Sequence, residues 1–225
     1  MKIGILFADD NEYTPFAQWA IGLGAREGVR HGRNSVTLAQ EGNTLIAVQC
    51  GIGKVNAATA AADLIFSEGV GALLNAGLSG AVSGVRRGDI VAGSSYVECD
   101  FDITPAGRNP GEKPGQQYVY AAHEDLLAKA LTLSGVKRGA FGTGDFFLTD
   151  RAKSAFYQTT FGICAFDMES AAIASVCHFT NTPFLSIRKM SDNADDTAVA
   201  DYREMDALQE QDLTRLVVAL AGRLA

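Results

Sequence analysis

The feature that most constrains the fold is an alternation of short apolar runs with longer segments of helical pattern. The apolar runs have the length of buried strands, and they fall at residues 2–7, 71–76, 89–97, 138–142, 163–167 and 183–189. The helical patterns fall near residues 14–27, 54–66, 123–134, 150–157, 169–178 and 203–224. Strands that alternate with helices favour a mostly parallel sheet with both faces covered. The sequence therefore predicts an α/β fold, organised as a single domain over residues 1–225.

Two segments depart from this alternation. Residues 35–39 and 45–49 flank the turn-like Gln40-Glu41-Gly42-Asn43, a pattern typical of a β-hairpin. The segment 104–117 contains three prolines and three glycines and carries no strand or helix pattern. Loops longer than about 12 residues inside a compact domain are often functional. We therefore expect this loop to act as a lid or as an arm that contacts another subunit.

Charge and hydropathy argue against several kinds of partner. The chain has 26 acidic and 19 basic residues and a formal net charge of -7, which disfavours nucleic acid and anionic membrane surfaces as partners. The N-terminal apolar run meets Asp9 and Asp10 too soon for a signal peptide. No stretch approaches the roughly 20 uninterrupted apolar residues that a membrane span needs. We expect a cytoplasmic protein that binds a small molecule and does not bind a membrane.

The cysteines and histidines indicate no metal site. Cys50, Cys99, Cys164 and Cys177 are widely spaced, without the paired spacing of a zinc site or the density of a disulfide scaffold. The three histidines have no ligand partners at metal-binding spacing. The sequence therefore predicts reduced thiols and neither a metal nor a cofactor.

Polar residues directly follow several of the predicted strands, where ligands bind in sheets of this kind. These places are 9–12, 75–80, 167–170 and 188–193. A carboxylate there can also be a helix N-cap or a first-turn charge, so each one alone leaves a structural role open. Together they predict a pocket with several carboxylates, suited to acid/base chemistry, to sugar hydroxyls or to a metal.

Seven segments of the chain are similar, in the same order, to those of one family. They are Met1–Ile5 with Glu12, Gly51–Val55, Gly88–Val91, Asp100–Thr104, Gly144–Leu148, Asp167–Ala172 and Ser191–Asp195. In these segments the chain resembles bacterial 5'-methylthioadenosine/S-adenosylhomocysteine nucleosidases, which lie within the wider nucleoside phosphorylase family. The resemblance runs nearly end to end. It implies a three-layer sandwich with a mixed, mostly parallel central sheet flanked by helices, and hydrolysis of the N-glycosidic bond of a purine nucleoside.

The resemblance implies a role for each of three carboxylates. Asp192 matches the general acid that protonates purine N7 as the base leaves, and Glu12 matches the general base that polarises the attacking water. Glu169 matches the carboxylate that binds the ribose hydroxyls. Such cleavage passes through an oxocarbenium-like state, which gains from a protonated leaving group and from negative charge near the sugar. Burial and like-charge crowding can keep one of the acids protonated near neutral pH.

Further residues are expected around the substrate on the same resemblance. Met168 packs near the sugar, Phe147 stacks on the purine, and backbone groups near Leu148 read the purine edge. Ser191 orients Asp192, and Arg188 lies near the attacking water. The other positions expected to contact the substrate are Ile52, Asp9 and Leu78.

The nucleophile is predicted to be water. A phosphate co-substrate needs a cationic or donor-rich cradle. In the related bacterial purine nucleoside phosphorylases this cradle includes an arginine and a serine at the places of Asn75 and Leu78 here. Arg86 and Arg87 could substitute, but an adjacent pair beside Gly88 is more often a solvated turn.

The 5'-substituent and the assembly are less constrained. The resembling nucleosidases usually carry a methionine at the place of Asp9 and a serine at that of Leu78, and aromatic residues of their 5'-pocket correspond to Ala106 and Arg108. The predicted substrate is therefore a purine nucleoside, with methylthioadenosine or adenosylhomocysteine as the favoured candidates. In the family, the loop at 104–117, with Ile103, reaches the active site of the neighbouring subunit in a homodimer. The alternative is that it is an ordinary surface loop.

Several alternatives stay open. Another purine nucleoside, such as futalosine, aminofutalosine or 5'-deoxyadenosine, could be the substrate, and a phosphorylase is a further possibility. A non-catalytic nucleoside-binding protein would bind without turnover. A metal-dependent hydrolase built on Asp192, Asp195 and Asp196 would lose activity in chelator.

Overall fold

The computed structural model describes residues 1–40, 42–204 and 207–224. The strands are β1 (Lys2–Phe7), β2 (Arg26–Arg30), β3 (Arg33–Gln40), β4 (Asn43–Gln49), β5 (Ala72–Ala81), β6 (Ile90–Glu98), β7 (Val119–Ala121), β8 (Val136–Thr143), β9 (Ala165–Asp167) and β10 (Phe184–Asp192). The helices are α1 (Asp10–Gly22), α2 (Lys54–Glu68), α3 (Glu124–Leu131), α4 (Arg151–Phe161), α5 (Ser170–Thr180), α6 (Ala198–Arg203) and α7 (Ala207–Gly222). The predicted α/β alternation is confirmed.

The strands form one mixed sheet that closes on itself at one end. Strands β4, β1, β5 and β10 pair in parallel through its middle. β10 then pairs antiparallel with β6, β6 and β8 pair in parallel, as do β8 and β9, and β9 returns antiparallel to β5. Five strands, β5, β10, β6, β8 and β9, therefore make a closed ring, while β1, β4, β3 and β2 extend from it as an open sheet. The predicted mixed sheet is confirmed, and its closure is a feature that the sequence pattern did not indicate.

Both faces of the central strands are buried, which explains their apolar sequences. In β1 the residues from Ile3 to Phe7 are buried, as expected where helices cover a parallel sheet on both sides. The buried face of the alanine-rich helix α2 includes Ala57 and Leu64, and it packs into the main hydrophobic core. It ends at Gly69, whose φ of 65° provides the left-handed conformation common at helix ends.

Several predicted boundaries differ from the structure. The helix predicted over 14–27 begins at Asp10 and ends at Gly22. A short edge strand, β2, follows it, and its polar Arg-Glu-Gly-Val-Arg sequence gives no apolar signal because most of β2 is exposed. The predicted hairpin is confirmed as β3 and β4, with Glu41 of its turn lying outside the described residues. The helix predicted over 203–224 corresponds to α7, and α6, which precedes it, was not predicted. Residues 205–206 lie outside the described residues.

Strands β5 and β10 both run further than predicted. The apolar runs ended at residues 76 and 189, but the ladder between the two strands continues from Phe184 opposite Leu73 to Asp192 opposite Gly80. Polar residues at these strand ends are buried between layers, so hydropathy alone ended the strands too early. As a result Leu78, Ser191 and Asp192 lie within strands, where their backbone positions are fixed by sheet pairing.

The loop at 104–117 contains one 3-10 turn at Thr104–Ala106 and is largely exposed. It follows β6, one of the ring strands. Within the described part of the chain, no helix has the length and apolar character required to cross a bilayer.

Candidate active site

A cavity of about 400 Å³ lies where β1, β5, β9 and β10 end. Its lining includes every residue predicted to contact the substrate except Arg188. These residues are Asp9, Glu12, Ile52, Leu78, Phe147, Leu148, Met168, Glu169, Ser191 and Asp192. The fold thus brings together side chains from both ends of the chain in one concave site.

Glu12 is held at the cavity wall by two backbone donors. Its Oε2 accepts a hydrogen bond from Ala8 N and its Oε1 accepts one from Leu78 N, both at 2.7 Å. Glu12 lies in the first turn of α1, where the Asp9 side chain caps the helix by accepting from Glu12 N at 3.1 Å. Burial raises the pKa of Glu12 to about 8, although the nearby Arg188 acts in the opposite direction. A carboxyl with a pKa near neutrality is matched to proton transfer at physiological pH.

Glu169 is fixed from two sides. Its Oε1 accepts a hydrogen bond from Gly53 N at 3.0 Å, and its Oε2 accepts one from Arg188 Nη2 at 3.1 Å. Gly53 precedes the first turn of α2, whose free N–H groups and dipole favour a carboxylate. Asp145 uses the same helix end, since Lys54 N donates to its Oδ1 at 2.8 Å. Burial raises the pKa of Glu169, and Arg188 again opposes the shift.

Asp192 ends β10 and is 2% exposed. Its Oδ2 accepts a hydrogen bond from Ser191 Oγ at 2.7 Å and its Oδ1 accepts one from Ala194 N at 2.8 Å. Ala194 has a φ of 47°, an uncommon conformation for a residue with a side chain, and this conformation brings its N–H onto the carboxyl. Burial raises the pKa of Asp192, although the two hydrogen bonds act in the opposite direction. The carboxyl is therefore fixed in position, and its pKa lies above the ordinary value.

Arg188 lies behind the cavity and not in its lining. The side chain is fully buried, and its guanidinium faces three carboxylates: Asp167 at 3.3 Å, Glu169 at 3.1 Å and Glu12 at 3.8 Å. Burial alone would lower the pKa of Arg188, but these carboxylates raise it, so the guanidinium stays charged. Arg188 therefore contacts the carboxylates that face the cavity and does not line the cavity itself. Its proximity to the attacking water stays a prediction.

Asp167 also belongs to the site, and no individual role was predicted for it. Its Oδ1 accepts hydrogen bonds from Thr143 Oγ1 at 2.7 Å and from Ser170 N at 3.0 Å, and its Oδ2 pairs with Arg188 Nε. It lines the cavity beside Met168 and Glu169. Its place at the end of a predicted strand was the available signal, but a capping role explained that position equally well.

Tyr202 and Arg203 on α6 also line the cavity and were not predicted. The Tyr202 hydroxyl donates to Asp9 Oδ2 at 3.0 Å, and its ring meets that of Phe147 edge to face, with centroids 5.7 Å apart. Tyr202 and Asp9 are 193 residues apart in the chain. No local pattern in the sequence signals a contact of that separation.

The arginines considered for phosphate binding lie elsewhere. Arg87 pairs with Asp201 and Glu204, each at 3.4 Å, and neither Arg86 nor Arg87 lines the cavity. Asn75 is buried, and its Oδ1 accepts from Arg188 Nη2 at 2.5 Å. Among the described lining residues Arg203 alone is cationic, whereas five carry carboxyl groups. The cavity therefore disfavours a phosphate dianion.

The acidic segment after β10 does not converge on a metal site. Asp195 accepts hydrogen bonds from Thr197 N at 3.0 Å and pairs with Arg151 at 3.3 Å, while Asp196 is exposed. Within residues 1–40, 42–204 and 207–224, no three His, Cys, Asp or Glu side chains come together in a way that could hold a metal ion.

The closed α/β sheet and the carboxylate-lined cavity at its strand ends have the arrangement of an enzyme active site, and comparisons with known proteins identify its class as nucleoside-cleaving. The model of the phosphorylase superfamily matches residues 2–221, and the chain belongs to that superfamily.

Proteins similar to this chain include several nucleosidases. The 5'-methylthioadenosine/S-adenosylhomocysteine nucleosidase of Anoxybacillus flavithermus is 35% identical over 79% of this chain and 82% of its own length. The aminodeoxyfutalosine nucleosidase of Campylobacter jejuni is 33% identical over 91% of both chains. The structure of the Streptococcus pneumoniae 5'-methylthioadenosine/S-adenosylhomocysteine nucleosidase, solved with a transition-state inhibitor, covers both chains completely with a TM-score of 0.90 at 30% identity. The resemblance predicted from the seven segments is confirmed.

Proposed function

We propose that this chain hydrolyses the N-glycosidic bond of an adenine nucleoside of the methylthioadenosine or adenosylhomocysteine type, releasing adenine and the 5'-substituted ribose. The observation that carries the proposal is the convergence of Glu12, Glu169 and Asp192 on one cavity. The nucleosidase relatives give independent support. Departure of the base leaves positive charge on the sugar, and a cavity with several carboxylates stabilises that charge.

Asp192 acts as the general acid. Its proton passes to purine N7 as the bond to C1' breaks, so that the base leaves as a neutral molecule. Burial keeps the pKa of Asp192 above its ordinary value, which favours the protonated form needed at the start. Ser191 and Ala194 N hold the carboxyl in one orientation.

In its ionised form Glu12 polarises the attacking water and accepts its proton. Its two backbone hydrogen bonds leave lone pairs on both oxygens for the water. Glu169 accepts hydrogen bonds from the ribose hydroxyls, and Arg188 positions both carboxylates without contacting the substrate.

The apolar wall of the cavity binds the base and the sugar. Phe147, whose side chain is partly exposed, stacks on the purine, and backbone groups near Leu148 read its edge. Met168 packs near the sugar, while Ile52 and Leu78 complete the wall. Water is the nucleophile, since the carboxylates facing the sugar repel phosphate.

Aminodeoxyfutalosine is the second candidate substrate. It is favoured by one observation, the 33% identity to the Campylobacter jejuni enzyme over 91% of both chains. The chemistry at the glycosidic bond is the same for both candidates, so they differ only in what the cavity accepts at the 5' position.

A direct test measures base release from methylthioadenosine, adenosylhomocysteine, adenosine, aminodeoxyfutalosine and inosine, with and without phosphate. We expect free adenine and free sugar without phosphate, and loss of turnover on the order of 10²–10⁴ in Asp192→Asn and in Glu12→Gln. Asp196→Asn is the matched control, because that carboxylate is exposed. A requirement for phosphate, or near-normal turnover in either variant, would refute the proposal. Binding without turnover would indicate a nucleoside-binding protein. Loss of activity in the presence of a chelator would indicate a metal-dependent enzyme.

We also propose that the protein is a homodimer in which the loop at 104–117 lies near the neighbouring site. Helix α2 presents Val55, Thr59 and Phe66 on one exposed face, with Val55 78% and Phe66 75% exposed. This face begins beside Ile52, which is exposed and lines the cavity. A second subunit seated there would cover the apolar face and border the cavity.

A cytoplasmic location completes the proposal. It is supported by the free thiols of Cys50, Cys99, Cys164 and Cys177, since reduced cysteines are typical of a reducing compartment.

A further inference from the structure

Three polar side chains from the facing ends of α1 and α6 lie in the cavity lining and have no part in the chemistry proposed above. They are Asp9, at the N-terminus of α1, and Tyr202 and Arg203, at the C-terminal end of α6. Among the other polar side chains of the lining, Glu12, Glu169 and Asp192 are assigned to the water, the ribose and the base. Ser191 and Asp167 bind Asp192 and Arg188, and Ser79 lies on β5 rather than on α1 or α6. Because the base and the ribose hydroxyls are already accounted for, the 5'-substituent is the part of the nucleoside that remains to face this wall.

Asp9 is fixed but has unused hydrogen-bonding capacity. Its Oδ1 accepts from Glu12 N at 3.1 Å and its Oδ2 accepts from the Tyr202 hydroxyl at 3.0 Å. An ionised carboxylate has about four acceptor positions, so roughly two stay available to a ligand. The two protein donors hold the carboxylate in place, and a ligand would find it already oriented.

Tyr202 connects this wall to the base site. Its ring packs edge to face against Phe147, with an angle of 77° between the ring planes. While its proton is donated to Asp9, its oxygen can still accept a hydrogen bond. Arg203, the next residue of α6, is exposed and adds guanidinium donors at the rim of the cavity. The wall therefore offers both acceptors and donors within one short stretch.

We infer that Asp9 and Tyr202 form a subsite for a 5'-substituent that donates hydrogen bonds, such as a hydroxyl or the ammonium of an amino-acid tail. This inference rests on the proposed function, because it concerns the substrate of the same cavity. A methylthio group cannot donate, so binding it would bury the Asp9 carboxylate against an apolar group and leave lone pairs unsatisfied. A site built for a hydrogen bond discriminates against an analogue that lacks it.

The test compares three adenine nucleosides that differ only at the 5' position: adenosine, adenosylhomocysteine and methylthioadenosine. We expect kcat/KM of the wild type to be at least about tenfold higher for the better of the first two than for methylthioadenosine, the value of one hydrogen bond of about 1.4 kcal/mol. Tyr202→Phe and Asp9→Asn should each reduce that ratio toward one. Because both side chains also support Glu12 or Phe147, each variant is judged by the ratio of its own kcat/KM values, in which a loss of catalysis common to all three nucleosides cancels.

Asp10→Asn is the matched control, since Asp10 is exposed, accepts from Gln49 Nε2 at 2.9 Å and does not line the cavity. It should leave the ratio unchanged. A wild type that prefers methylthioadenosine, with a ratio unaffected by either variant, would overturn the subsite. If no nucleoside is cleaved, the binding affinities of the same three compounds, measured by calorimetry, test the subsite independently of hydrolysis. A 5' preference in binding would then support the subsite while hydrolysis is refuted, and equal binding would overturn the subsite as well.

Discussion

At the residue scale, the ionisation of Glu12 follows from a conflict between burial and hydrogen bonding. Two backbone N–H groups and Arg188 favour its carboxylate, but loss of hydration outweighs them and raises the pKa to about 8. Arg188 supplies one positive charge for Glu12, Asp167 and Glu169 together. One guanidinium cannot neutralise three buried carboxylates, so a proton retained among them lowers the cost of burial.

This shift predicts how stability depends on pH. A carboxyl whose pKa is higher in the folded state binds more protons there, so the free energy of unfolding falls as the pH rises between the two pKa values. For Glu12 that window runs from 4.5 to about 8. Glu12→Gln cannot ionise, and its stability relative to wild type should rise by at least about 1 kcal/mol between about pH 5 and about pH 9. Urea unfolding at each pH measures this.

The control for that experiment is Glu124→Gln, which changes an exposed carboxylate in the first turn of α3. Its stability relative to wild type should stay nearly constant over the same range. A constant difference for Glu12→Gln as well would mean that Glu12 is ionised throughout and that burial does not control it.

At the element scale, β5 positions the site by leaving space. A Cβ atom at Gly77 would overlap Glu12 Oε1 and Arg188 Nη1, and one at Gly80 would lie 2.9 Å from Asp192 Oδ1. The strand thus passes beneath Glu12 and Asp192 with no side chain at the two points of closest approach. Its neighbour Leu78 supplies the backbone N–H that holds Glu12.

Gly77→Ala should therefore damage catalysis more than folding. The added methyl would displace Glu12 or Arg188, and a displacement of about 1 Å at a catalytic group can reduce kcat on the order of 10²-fold. Overpacking should also cost about 1–3 kcal/mol of stability. Steady-state kinetics and thermal unfolding measure the two effects. Gly22→Ala is the control, because a Cβ there meets no atom within 4 Å; equal activity in both variants would contradict the argument.

At the scale of the whole molecule, the closed ring and the exposed face of α2 have different consequences. The ring brings β10 beside β5, so the residues that follow β1 and those that end β10 share one cavity within a single chain. The apolar face of α2, by contrast, has no partner within the described chain. Large exposed apolar side chains grouped on one helix face are typical of an interface between subunits.

The dimer proposal predicts a mass twice that of the 23.8 kDa chain by size-exclusion chromatography with light scattering. Introducing charge with Val55→Asp and Phe66→Asp should reduce it to that of one chain, because a buried unpaired carboxylate is strongly unfavourable at an interface. The control is Val29→Asp on the edge strand β2, a residue 72% exposed and away from α2. A wild type with the mass of a single chain would refute the proposal.

The sequence by itself determined the class of fold and the carboxylates of the site. Apolar runs and helical periodicity are local properties, and β1, α2 and β4 lie close to where their patterns predicted. Glu12, Glu169 and Asp192 could be named because each occurs in a recognisable segment near the end of a strand. The roles of these residues, the single-domain organisation and the homodimer remain predictions.

The tertiary structure alone decided how the polar groups are paired. The closure of the sheet through β9 and β5, the three carboxylates around Arg188 and the hydrogen bond from Tyr202 to Asp9 all join residues distant in the chain. A sequence pattern records which face of an element is apolar, but not which element will lie against that face. Buried polar residues such as Arg188 and Asp167 have no apolar signal, because their burial is made favourable only by partners that packing brings to them.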